Sequence, residues 1–198
     1  MGVSDPAGRH GRMETERVDP DDLAFLRGAF GVDGGGQPAL GWDAVRAFEA
    51  EHGIVLPEPY RTFVAEVTDG SPSGPPEYGL VPLATLPADW GNGRPERVLN
   101  RPFPLTETWV WEDDPRPGDV LDPLLDEVFD HGSVVLGTEG CGMYWHLIVN
   151  GPQRGHIWLV TGEGAMPFGS DPGSLDGEPG FLGWVRHWAD GKSWFDMR

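Results

Sequence analysis

The chain has 198 residues, 38% of them apolar, and its nine Trp and nine Phe supply enough large side chain for the core of one domain. Its formal net charge is −18, which speaks against nucleic acid and against an anionic membrane surface, since both need clustered Lys and Arg. The lone thiol of Cys141 leaves no intrachain disulfide, and with no apolar leader or membrane-length run these features predict a cytoplasmic protein with no membrane association.

Residues 1–17 are Gly-rich, polar and patternless, and are expected to form a disordered tail in which Met13 is an alternative start. A chain begun at Met13 or Val18 is therefore expected to show the melting curve of the full chain; a loss of several degrees would show that the tail docks. At Asp19-Pro20-Asp21-Asp22 a capping acid, a proline and two further acids open a helix over 21–30. Gly34-Gly35-Gly36 follows as a linker, so that residues 18–40 form an extra N-terminal helix and its connection.

A second helix is predicted over 42–52, with Trp42, Val45 and Phe48 on one face and Gly53 as its left-handed cap. Ile54, Val55 and Leu56 then run extended, because Leu56 precedes a proline and is pushed out of the helical region. Pro57 and Pro59 suit the first turn of a third helix, where an amide hydrogen is not needed. Its stripe is Tyr60, Phe63, Val64 and Val67, at i, i+3, i+4 and i+7, and it closes at Asp69-Gly70. The hinge thus sets two helices against one surface, with Ile54 and Leu56 pointing into the same core.

Residues 78–83 read as a strand. The stretch 84–117 is Pro-rich and poorly periodic, apart from a strand pattern over 106–111, and 122–130 reads as a short helix. A short apolar strand over 134–136 leads to 143–149, where Trp145, Leu147 and Val149 alternate with Tyr144, His146 and Ile148. A turn over 150–155 returns the chain into a strand over 156–160. A last helix over 181–189 carries Phe181, Trp184, Val185 and Trp188 on one face. The sum is an α+β single domain, an antiparallel sheet with helices packed on one face.

The chemistry-bearing residues form no strong motif. Cys141 and His146 could act as nucleophile and base only within hydrogen-bond reach, and a small thiol in a tight turn is the expected reading. His131, His146 and His156 could converge on zinc, but they lack the paired short spacing such sites show, so no metal is expected. The glycines at 137, 140, 142, 162 and 164 lack the strand-before, helix-after context of a phosphate loop, so they read as turn residues. Glu112, Asp113, Asp114 and Asp119, with Asp122, Asp126 and Glu127 beyond them, form an acidic belt that matches no calcium loop. The belt is either a solvated face or a docking surface for a basic partner. In the second case Trp109 and Trp111 would be its aromatic anchors.

The order Phe48-Glu49, Leu56-Pro57, Tyr60, Phe63-Val64, Gly70, then Glu139-Gly140-Cys141-Gly142, Gly155 and Phe181-Leu182-Gly183-Trp184, resembles the SUKH superfamily. This group includes Smi/Knr-type regulators of cell-wall synthesis and many bacterial immunity proteins. The resemblance covers residues 41–191, with 192–198 as a C-terminal end. It implies an α+β fold, no catalytic residues and no cofactor. In bacteria it implies a cytoplasmic protein that binds and neutralises a toxin, often a nuclease, through protein–protein contact. An intracellular regulatory or scaffold adaptor is the alternative, and an enzyme using Cys141 and His146 a further one. The stretch 84–121 is longer and richer in Pro and Trp than the resemblance leads one to expect.

Overall fold

The computed structural model describes residues 18–31, 35–91, 97–169 and 178–194; the expectations for 1–17 and for part of the Gly-rich linker fall outside these. Helix α1, Pro20–Ala29, starts as its sequence dictates: Asp19 caps it by accepting the Asp21 N–H at 2.8 Å. Helix α2, Trp42–His52, stops at Gly53, whose φ of 65° is a left-handed cap that a side chain would strain.

The hinge after Gly53 leaves extended backbone with no helical partner for its polar groups. Glu49, in the last turn of α2, supplies one: its Oε1 accepts the Leu56 N–H at 2.9 Å. The same carboxylate takes Arg61 in a fork, with Nε at 2.7 Å and Nη2 at 2.8 Å. Arg154 reaches over from the far side and donates to the Val55 and Leu56 carbonyls at 3.1 and 3.2 Å. Helix α3, Tyr60–Glu66, begins just after the two prolines, not on them, with Pro59 at its N-cap. Glu58 caps it instead, accepting the Thr62 N–H at 3.0 Å, and burial raises this carboxyl above its usual range. Tyr60, Phe63 and Val64 are buried as the stripe predicts, while Val67 is half-buried at the helix end; Leu56 is buried and Ile54 packs against the same core.

The sheet has five antiparallel strands, β1 Trp109–Val110, β2 Ser133–Gly140, β3 Met143–Ile148, β4 Ile157–Val160 and β5 Gly164–Pro167, in the order β1-β5-β4-β3-β2. The predicted 106–111 strand contracts to two residues, and β5 was not anticipated. The predicted strand over 78–83 is absent. Leu80 bridges Ser71, Val81 donates to the Leu136 carbonyl at 2.8 Å, and Tyr78 stands 69% exposed. That segment instead lies over the edge of β2 so closely that a Cβ at Gly137 would come within 2.5 Å of the Gly79 carbonyl oxygen.

Helix α4 spans Gly118–Asp130, one turn longer at its start than the predicted 122–130, and it carries Pro123 inside. Helix α5, Phe181–Ala189, matches its prediction. The α+β fold stands, but the helices do not all lie on one face. Helices α1, α2, α3 and α5 contribute to a core that meets Val134, Leu136, Trp145, Leu147, Ile157 and Leu159 of the sheet. On the opposite face Val128 and Phe129 of α4 join Phe103 and Trp111 against Val135, Tyr144, Ile148, Trp158 and Val160. The sheet is therefore buried on both sides. The reason is that α4 has an apolar stripe as well as its acids.

Candidate protein-binding surface

Helix α4 turns most of its acids outward and most of its aliphatic residues inward, with buried Asp130 and exposed Val120 as exceptions. Asp119, Asp122 and Asp126 are exposed, Leu121, Leu124 and Leu125 are half-buried, and Val128 is buried. The loop that precedes it adds Glu107, Glu112 and Asp113, all exposed. Between this loop and α4 runs a groove of about 340 Å³, with Pro104, Leu105, Trp109, Arg116, Leu124 and Val128 among its lining. A surface with a partly apolar groove and exposed acids on the flanking segments can take a protein partner with a basic rim.

The six residues singled out in the sequence meet different fates here. Glu112, Asp113 and Asp119 are exposed and available to a partner. Asp114 is turned inward and occupied: its carboxylate accepts the Arg116 backbone N–H at 3.0 Å, Arg116 Nε at 2.9 Å and Nη2 at 2.7 Å, and Trp109 Nε1 at 3.0 Å. Those donors hold the carboxyl well below the usual carboxylate range and raise Arg116, so the pair stays charged through mildly acidic pH. Trp109 is half-buried under Arg116. Trp111 is a core residue at 7% exposure, its Nε1 donating to the Gly162 carbonyl at 2.7 Å, and it cannot serve as an exposed anchor. What sequence reading missed is Leu105, Leu124 and the groove. The period of α4 held the signal, obscured by Pro123.

Cys141 and His146 are not brought together. Cys141 sits exposed at the tip of the β2–β3 hairpin with a φ of 53°, while His146 is fully buried within β3. Arg97 Nη2 donates to Ser133 Oγ at 2.8 Å, and the same oxygen is hydrogen-bonded to His146 Nδ1 at 2.9 Å. The imidazole is thus held by a hydroxyl and not by the Cys141 thiol. Burial pulls Arg97 down to about 9, with the nearby Asp130 carboxylate acting against that shift. Among the described residues no three His, Cys, Asp or Glu gather closely enough to hold a metal ion; His131 caps α4 and His156 bridges Gly180. Cys141→Ser is expected to keep the fold within about 0.5 kcal/mol, as exposed substitutions do, and to keep partner binding. Lost binding with an unchanged melting curve would mark Cys141 as a contact.

A larger cleft of about 480 Å³ lies on the other side, between the end of α2 and β2, with Phe48, His52, Leu83, Trp90 and Arg97 in its walls. Its guanidinium is turned inward, stacked 5.3 Å from the Trp90 ring centre and bonded to Ser133 and the Phe129 carbonyl.

Neither curated proteins nor solved structures gave a match. The SMI1 / KNR4 family (SUKH-1), by contrast, matches residues 42–175, from the first residue of α2 past the end of β5. That span holds the Glu49 hinge, the whole sheet and the groove beside α4, and it covers well over half of the chain. The chain belongs to the SMI1 / KNR4 (SUKH-1) family.

Proposed function

We propose that this protein is a non-catalytic cytoplasmic binding protein that neutralises a toxin domain by occupying its basic cleft. The observation that carries the reading is that α4 and the segment before it carry exposed acids, with Glu107 in the wall of the groove between them, in a chain of net charge −18. A nuclease toxin must hold phosphates, so its cleft is cationic and complementary to such a face. Family membership supports a role in partner binding, since the resemblance described above includes immunity proteins. Among the described residues no helix is long and apolar enough to cross a membrane, which fits a partner met in the cytoplasm.

The test begins with a pulldown from the source cells and identification of the captured protein by mass spectrometry. Association with that protein is then followed by stopped flow at low and moderate salt. Electrostatic steering predicts that the wild-type rate falls about tenfold or more as salt rises. The variant Glu112→Gln/Asp113→Asn/Asp119→Asn is expected to associate more slowly at low salt and to lose much of that dependence. A rate indifferent to both salt and these substitutions would sink the acidic face as the contact, and capture of a non-toxin regulator would replace neutralisation with an adaptor role.

A further inference from the structure

Arg116 places its guanidinium carbon 5.2 Å from the centre of the Trp109 ring, and its Nε and Nη2 meet the two Asp114 oxygens at 2.9 and 2.7 Å. Trp109 Nε1 donates to the same Oδ2 at 3.0 Å, so the carboxylate is fixed to the ring and not merely to the arginine. An aromatic face with a carboxylate anchored at its edge is what a planar guanidinium requires. The ring accepts the flat cation, and two oxygens accept its parallel N–H groups. The Asp114 side chain is 12% exposed and that of Arg116 44% exposed, so the receiving group is built into the surface while the group it holds lies on top. Trp109 and Arg116 are both walls of the groove beside α4.

Resting on the reading of this face as the partner-binding surface, we propose that Trp109 and Asp114 form an arginine seat, filled in the free protein by Arg116 and taken over on binding by an arginine of the basic partner. The exposed acids Glu112 and Asp113 beside it supply the charge complementarity that brings such a cation near. Exchange substitutes one guanidinium for another, so the inward-turned carboxylate need not be left without a cation. The Arg116 backbone N–H stays on Asp114 Oδ1 at 3.0 Å after its side chain leaves and keeps the carboxylate aimed. Pro115 and Pro117 on either side of Arg116 stiffen the backbone, so release is a matter of side-chain rotation into water. A self-filled seat also selects. A lysine ammonium cannot reproduce the stacked, forked contacts it would have to displace, whereas an arginine can.

A seat occupied by its own residue about nine-tenths of the time lowers apparent affinity about tenfold, and emptying it should restore that factor. The probes are a short capped peptide alternating glycine and arginine and its lysine counterpart, titrated into the full chain while the Trp109 indole N–H resonance is followed by NMR. Arg116→Ala is expected to bind the arginine peptide about tenfold more tightly than wild type and to prefer it over the lysine peptide. Arg46→Ala removes the same charge from α2, and it should change neither value by more than the general field does. Asp114→Asn, checked for an unaltered melting curve, should abolish the arginine preference in the Arg116→Ala background, and Trp109→Phe, which keeps a ring and is followed through the backbone N–H of position 116 in place of the indole, should retain part of it. Equal gains in Arg116→Ala and Arg46→Ala, or equal affinity for the two peptides in Arg116→Ala, would overturn the seat. These outcomes do not depend on the toxin: a peptide result as expected with a non-toxin partner in the pulldown removes the neutralisation reading and leaves the seat standing.

Discussion

Glu49→Ala is expected to destabilise the protein by about 3–5 kcal/mol, the cost typical of removing one partner from a buried ion pair. In a chain of this size that lowers the melting temperature by roughly 10 °C. The side chains of Glu49 and Arg61 are only 7% and 17% exposed, so the arginine would be left without its counter-charge, and the Leu56 N–H without its acceptor. Glu49→Gln should recover part of the loss, because an amide oxygen can still receive the Leu56 N–H. The Glu49→Ala/Arg61→Ala pair should lose less than the sum of the single changes. Thermal unfolding of the four variants checks this; a melting curve unmoved by Glu49→Ala would show that the hinge does not depend on the carboxylate.

Phe63→Ala should cost a similar amount, about 3–5 kcal/mol, for a different reason. Phe63 is fully buried, with ring centres 4.8 Å from Phe30, 5.0 Å from Phe181 and 6.3 Å from Tyr60. It therefore joins α1, α3 and α5 at one point, and its truncation opens a cavity that three helices would have to collapse to fill. Phe63→Leu, which keeps most of the volume, is expected to lose about half as much. Equilibrium urea unfolding gives both values, and an unchanged midpoint for the alanine variant would remove α3 from the core.

Helix ends set by local chemistry were legible in the sequence. Gly53 stops α2 by its left-handed conformation, and α2 and α5 both fall where their spacing puts them. The β3–β4 hairpin was legible too, since its turn and its alternation are both local. What depended on distant partners was not. Strand β5, Gly164-Ala165-Met166-Pro167, has no β-branched residue and exists because β4 and β1 flank it. The expected strand over 78–83 fails because Pro82 has no N–H to give, and the segment's bonds go to scattered partners: Leu80 to Ser71, Val81 to Leu136 and Leu83 to the Asp69 carboxylate. The helix expected over 122–130 starts four residues earlier, so that Pro123 sits inside it, exposed, where losing one backbone bond is tolerated. The same blind spot made Trp111 look like an anchor. Alternation shows which residues share a face, but only α4, packed from elsewhere, decides that the Trp111 face is covered.

Helices α1 and α5 lie outside the span that defines the family, yet they clasp each other across it through Arg186 and Asp22 at 2.7 Å, residues 164 positions apart. The α5 residues Phe181, Leu182, Trp184 and Val185 are buried, so a fragment trimmed to 42–175 would expose to water the part of the core they cover. During synthesis α5 is the last of the described elements to appear. Until it does, α1 lacks its clasp and the sheet lacks its lid, a window in which the nascent chain is exposed to aggregation. Completion of this core therefore waits on a contact between α1 and α5, elements far apart in the chain, a long-range closure that slows the final step.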